Sequence, residues 1–140
     1  MGNYVGSAAL EVDGFSTTIE YCNFTNNNAY GGHYSINVWS FSGAVKVDSN
    51  AKDTVMDHCN FDDNSAEDYG AVEWLAKNGI IKYSNFTNNK ATDGQAGAVQ
   101  WSGSAENGTI MESKFIDNTA TNNGGAVYWD AIDGKILSSN

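Results

Sequence analysis

Residues 85–101 read Asn85-Phe86-Thr87-Asn88-Asn89-Lys90-Ala91-Thr92-Asp93-Gly94-Gln95-Ala96-Gly97-Ala98-Val99-Gln100-Trp101, and both ends of this stretch recur along the chain. The Phe-x-x-Asn of its first half returns at Phe24-Thr25-Asn26-Asn27, Phe61-Asp62-Asp63-Asn64 and Phe115-Ile116-Asp117-Asn118. The Gly-Ala-Val of its second half returns at Gly43, Gly70 and Gly125, so successive glycines lie 27, 27 and 28 residues apart. A period in that range marks one supersecondary unit stacked on copies of itself, which is a solenoid.

Aligning the copies on the phenylalanine brings out the rest of the unit. Five residues before it stand Ile19, Met56, Ile81 and Ile110, with Ile136 in a last partial copy. Two before it stand Cys22, Cys59, Ser84, Ser113 and Ser139; one before it, Asn23, Asn60, Asn85 and Asn140, with Lys114 the exception. Five after it the residue is always alanine: Ala29, Ala66, Ala91 and Ala120. Each Gly-Ala-Val runs on into Val45-Lys46-Val47, Val72-Glu73-Trp74, Val99-Gln100-Trp101 or Val127-Tyr128-Trp129, and Leu10-Glu11-Val12 begins the series.

Apolar and polar residues alternate in most of these segments, the pattern of a strand buried on one face. That reading sets Glu11, Lys46 and Glu73 in a solvent-facing column of alternating charge, which favours the register modestly. No window has a helical period. Each rung therefore reads as two or three short strands joined by Asn, Asp and Gly turns, stacked about 4.8 Å above the last. The expected fold is all-β: a right-handed, single-stranded parallel β-helix of about five rungs filling residues 1–140 as one domain. Stacking predicts a phenylalanine column, a second column of Val47, Trp74, Trp101 and Trp129, and an amide column of Asn27, Asn64, Asn89 and Asn118.

Composition limits what such a solenoid does. The 140 residues hold no proline, 17% charged and 12% aromatic residues, and a net charge of −10. That aromatic content argues against disorder. The acidic balance repels phosphate backbones and anionic lipid, so nucleic acid and bare membrane are not the expected partners. No run of about 18 apolar residues offers a membrane span. No secretory pattern opens the chain, so any export signal is expected upstream of Met1.

One repeat is longer than the others. From Phe24 to Gly43 there are about ten surplus residues, roughly 30–42, containing Tyr30, His33, Tyr34, Trp39 and Phe41. Insertions in a solenoid map to a loop on one face, often the binding face. Tyr34 and Trp39 are the candidate ligand contacts there, because exposed aromatic faces stack on sugar rings.

Other groups invite weaker readings. Cys22 and Cys59 hold the same position in successive rungs, at a separation within disulfide range but with nearly parallel Cβ directions. Two stacked, reduced thiols are the expectation, and a disulfide between the rungs is the alternative. Sequons begin at Asn23, Asn85 and Asn107, with Asn107, in a glycine turn, the candidate glycosylation site. Asp62, Asp63 and Asp117 read as solvated turn acids. All seven basic residues are lysines and none adjoins these acids in sequence. No Asp-x-Asp-x-Asp-Gly loop is present, and neither a metal nor a cofactor is expected.

The paired Phe-x-x-Asn and Gly-Ala-Val motifs resemble the repeats of the chlamydial polymorphic outer-membrane proteins. They are also similar to the β-helix regions of adhesin-like surface proteins of methanogenic archaea, which repeat segments like Asn23-Phe24-Thr25-Asn26-Asn27. The resemblance covers roughly Ala9 to Asn140, although a double glycine precedes Ala-Val only at Gly124-Gly125-Ala126-Val127. Elsewhere Ser42, Tyr69 and Ala96 replace the first glycine. The resemblance implies a non-enzymatic, extracellular or cell-surface adhesin-like module that serves as spacer and recognition scaffold, and ends without a polar cap lead us to expect a segment of a longer solenoid. Glycans or cell-surface proteins are then its partners. The alternatives are a fragment of a carbohydrate-active β-helix lyase or hydrolase, or a subunit that self-associates head-to-tail into a fibre.

Overall fold

The computed structural model describes residues 6–30 and 41–140. All regular structure among them is β: twenty strands of two or three residues, every pairing parallel. Along one coil the chain visits four ladders in turn. The first stacks Leu10–Val12, Val45–Val47, Val72–Trp74, Val99–Trp101 and Val127–Trp129. The second stacks Thr18–Glu20, Val55–Asp57, Ile80–Lys82, Thr109–Met111 and Lys135–Leu137. The third holds Asn23–Thr25, Asn60–Asp62, Asn85–Thr87 and Lys114–Ile116, and the fourth Asn28–Ala29, Ser65–Ala66, Lys90–Ala91 and Thr119–Ala120. Gly6–Ser7 pairs with Phe41–Ser42, and single bridges continue that line through Tyr69 to Ala96. The chain is thus a parallel β-solenoid, with more strands per coil than alternation alone suggested.

Register follows the sequence repeat. Phe24 faces Phe61, Phe61 faces Phe86, and Phe86 faces Phe115, with ring centroids 4.9, 4.7 and 4.9 Å apart. Val47 faces Trp74, which stacks on Trp101 at 4.8 Å, and Trp101 on Trp129 at 4.7 Å. Met56, Ile81 and Ile110 fill the space between these files, fully buried. Parallel strands stack identical side chains at one rise, so one good packing choice repeats along the core.

The motif residues have specific duties. Asn64 Oδ1 accepts from the backbone N–H and the amide of Asn27, one coil away, at 3.1 and 2.9 Å. Its Nδ2 donates back to the Phe24 carbonyl and forward to Asn89 Oδ1, both at 2.9 Å. Asn89 repeats the arrangement with Phe61 and Asn118. The amide thus satisfies buried backbone groups where the ladder is interrupted, which is why asparagine recurs three residues after each phenylalanine. The glycine of Gly-Ala-Val is required by close approach: a Cβ on Gly70 would lie 1.8 Å from the Gly97 carbonyl oxygen, and one on Gly43 would lie 1.9 Å from that of Gly70.

Three files of left-handed residues, with φ between 46° and 61°, turn each coil. One comprises Ser16, Asp53, Asn78, Asn107 and Asp133, and another Asn26, Asp63, Asn88 and Asp117. Their short polar side chains tolerate this conformation. The third file comprises Tyr21, His58, Tyr83, Glu112 and Ser138, where left-handed backbone costs roughly 1–2 kcal/mol per residue.

One expectation fails. Lys46 and Glu73 do not face solvent: they are only 5% and 4% exposed, and Gln100 beside them 6%. The strands Val45–Val47, Val72–Trp74 and Val99–Trp101 are buried at all three positions. Alternation shows which residues turn away from the core, not whether that second face is covered. The Lys46 ammonium is held by Glu11 and Asp48, each at 3.2 Å. Burial works against its charge, and those hydrogen bonds outweigh the effect, so its pKa is raised.

Candidate functional site

Among the described residues, the sequence-derived candidates do not form one site. Tyr34 and Trp39 lie outside the described residues. Asn107 is exposed in its left-handed turn, its Nδ2 donating to Asn78 Oδ1 over a long 3.4 Å. Asn23 and Asn85 are exposed on the third ladder. Asp63 and Asp117 are exposed corner residues of the Asn26 file, and Asp62 lies on a strand beside them.

Cys22 and Cys59 carry free thiols in this structure. Each does the work of the serines in its file. Cys59 Sγ donates to the Asp57 carbonyl at 3.4 Å and Cys22 Sγ to the Glu20 carbonyl at 3.3 Å. Ser84, Ser113 and Ser139 make the same bond two residues back, at 2.9, 2.9 and 3.0 Å. Burial pushes the Cys59 thiol up, away from the reactive thiolate.

Among the described residues, the third corner file projects a cluster of chemistry-bearing side chains outward. Tyr21, His58 and Tyr83 stack along it, with centroids 5.1 and 4.9 Å apart. Tyr21 is 73% exposed, Tyr83 39%, and the His58 side chain 46%. On one flank His58 Nδ1 lies 2.6 Å from Asp57 Oδ1, and Lys82 Nζ lies 2.9 Å from Asp57 Oδ2. An ionised carboxylate only accepts, so Nδ1 carries the hydrogen. Partial burial would raise the Asp57 carboxyl, but the bonds from Lys82 and His58 prevail and hold it below its ordinary value. The same bond raises Lys82, whose ammonium also sits 5.7 Å from the Tyr83 ring centroid.

On the other flank runs an exposed amide ladder. Asn60 Nδ2 donates to Asn23 Oδ1, and Asn85 Nδ2 to Asn60 Oδ1, both at 2.8 Å. The corner thus combines aromatic rims with fixed donors and acceptors on both sides. Sequence reasoning did not group these three residues, because Tyr, His, Tyr, Glu and Ser share no polarity class. Their signal was positional: each stands three residues before a phenylalanine or its equivalent.

Residues 112–128 match the family model of the Chlamydia polymorphic membrane protein repeat. The chain carries a chlamydial polymorphic-membrane-protein-like β-helix repeat. The match begins at the Glu112 corner, takes in Phe115 to Asn118, and ends one residue past Gly124-Gly125-Ala126-Val127, the copy whose double glycine is intact. Here Gly124 adopts φ +58°, and Asn118 bonds the Phe86 carbonyl at 2.9 Å. The repeat's signature residues are therefore stacking, capping and close-approach positions of the coil. No curated protein and no solved structure matches the chain.

Proposed function

We propose that the chain is a non-enzymatic, adhesin-like β-helix module displayed on a cell surface, acting as spacer and as recognition scaffold for glycans or cell-surface proteins. The observation that carries the reading is the match of residues 112–128 to a polymorphic membrane protein repeat. The architecture suits the role, since a registered coil holds exterior side chains in straight, evenly spaced files. In this reading the coil is right-handed, with about five rungs, and belongs to a longer extracellular stalk.

The test has three arms. Antibody to the purified chain should label intact cells of its source, and beads coated with the chain should adhere to a panel of animal or microbial cells. Labelling only after permeabilisation, or beads that bind no cell, would remove the adhesin role. Reducing-end assays on neutral and acidic polysaccharides should show no turnover. Turnover lost on one Asp→Asn substitution would replace this reading with the enzymatic one.

A further inference from the structure

We propose that the exposed corner formed by Tyr21, His58 and Tyr83, flanked by the Asp57–Lys82 pair and by Asn60 and Asn85, is a binding site for a neutral oligosaccharide lying along the coil axis. The inference rests on the recognition reading above and assigns it to a place other than the insertion.

Three observations carry it. The two other corner files use only Ser, Asp and Asn, the residues that fit a left-handed backbone, whereas this one carries three rings in consecutive coils. Tyr21 is mostly in solvent, His58 and Tyr83 keep 46% and 39% of their surface there, and none of the three belongs to the hydrophobic core, so strained residues at the surface point to function. The chemistry of the strip is also that of a polyol site. Neighbouring rings cover both faces of His58, so the strip offers its rim: two phenol hydroxyls and His58 Nε2, each able to bond a sugar hydroxyl. Beside the rim, the Asn60 and Asn85 amides and the Asp57 carboxylate are already fixed by hydrogen bonds, which lowers the ordering cost of binding.

Charge and edges select the ligand class. Asp57 and Lys82 neutralise each other while the chain as a whole carries −10, so sulfated or uronic-acid chains are repelled. A peptide adding as a strand needs a free ladder edge, and here the strands on both sides of the corner pair with the next coil.

The test exploits the strain. Tyr21→Asn with Tyr83→Asn puts a residue suited to the left-handed turn at both positions while deleting the rim. Its urea midpoint should equal or exceed that of the parent chain. On an array of neutral and acidic oligosaccharides the parent should retain neutral glycans, and calorimetry with the best of them should show at least tenfold weaker binding to the double variant. Trp39→Ala should bind as the parent does. Unchanged binding by the double variant, a preference for acidic glycans, or loss confined to Trp39→Ala would overturn the site while leaving glycan recognition standing. A parent chain that binds proteins but no glycan would overturn the site and leave recognition to proteins. A parent chain that adheres to no cell and binds no glycan would overturn both.

Discussion

Asn64 and Asn60 make nearly the same chain of amide bonds, one inside the coil and one outside, and the difference in their surroundings sets what each contributes. Asn64→Ala removes the acceptor of the Asn27 backbone N–H and side-chain amide and a donor to the Phe24 carbonyl, and leaves Asn89 Oδ1 with only the Asn64 backbone N–H. We expect a loss of about 2–4 kcal/mol in urea unfolding, against about 0.5 kcal/mol or less for Asn60→Ala, whose neighbours turn to solvent. Equal losses would show that the inner file is not desolvated. Gly70→Ala meets backbone rather than a pliable side chain, so it should cost more than about 3 kcal/mol or prevent folding, as read by far-UV circular dichroism. Cys59→Ser restores the residue found in the next two coils and should stay within about 1 kcal/mol of the parent. A larger change would mean that the thiol has a role beyond its hydrogen bond.

Between ladders, the corners and covered faces decide how the elements behave. Tyr69 lies beside the buried face of the first ladder. Burial first, then the negative charge of Glu73 and Asp68, pushes its hydroxyl up to about 12. Unfolded tyrosine ionises near pH 10, so the folded chain keeps a proton that the unfolded chain gives up. The contribution is therefore complete below about pH 10 and is lost as pH rises from there to about 12. Urea midpoints from pH 9 to 12 should fall more steeply for the parent than for Tyr69→Phe; parallel curves would contradict the assignment. At this scale the sequence was legible only in part. The period and the Phe, Trp and Asn files could be read because identical side chains stack. The burial of Lys46 and Glu73 could not, since alternation is blind to what lies over a sheet's second face. The Tyr21–His58–Tyr83 corner was equally hidden, because its coherence lies in backbone angle and exposure rather than in residue type.

For the molecule as a whole, register is the property on which the other statements depend. Val72 faces Val99, so removing residues 72–98 joins Ala71 to Val99 and deletes one complete coil without disturbing any file. That variant should keep a β-sheet circular dichroism spectrum and a cooperative transition at lower stability, as solenoids with nearest-neighbour coupling do. Removing one residue fewer shifts every following side chain to the opposite face and should abolish the transition. The most direct measurement is a crystal structure of the chain. It should place Phe24, Phe61, Phe86 and Phe115 in one file with centroids under 5 Å apart, and bond the Asn64 amide to the Phe24 carbonyl. Antiparallel pairing, a helix among these residues, or Phe24 packed against anything but Phe61 would contradict the account.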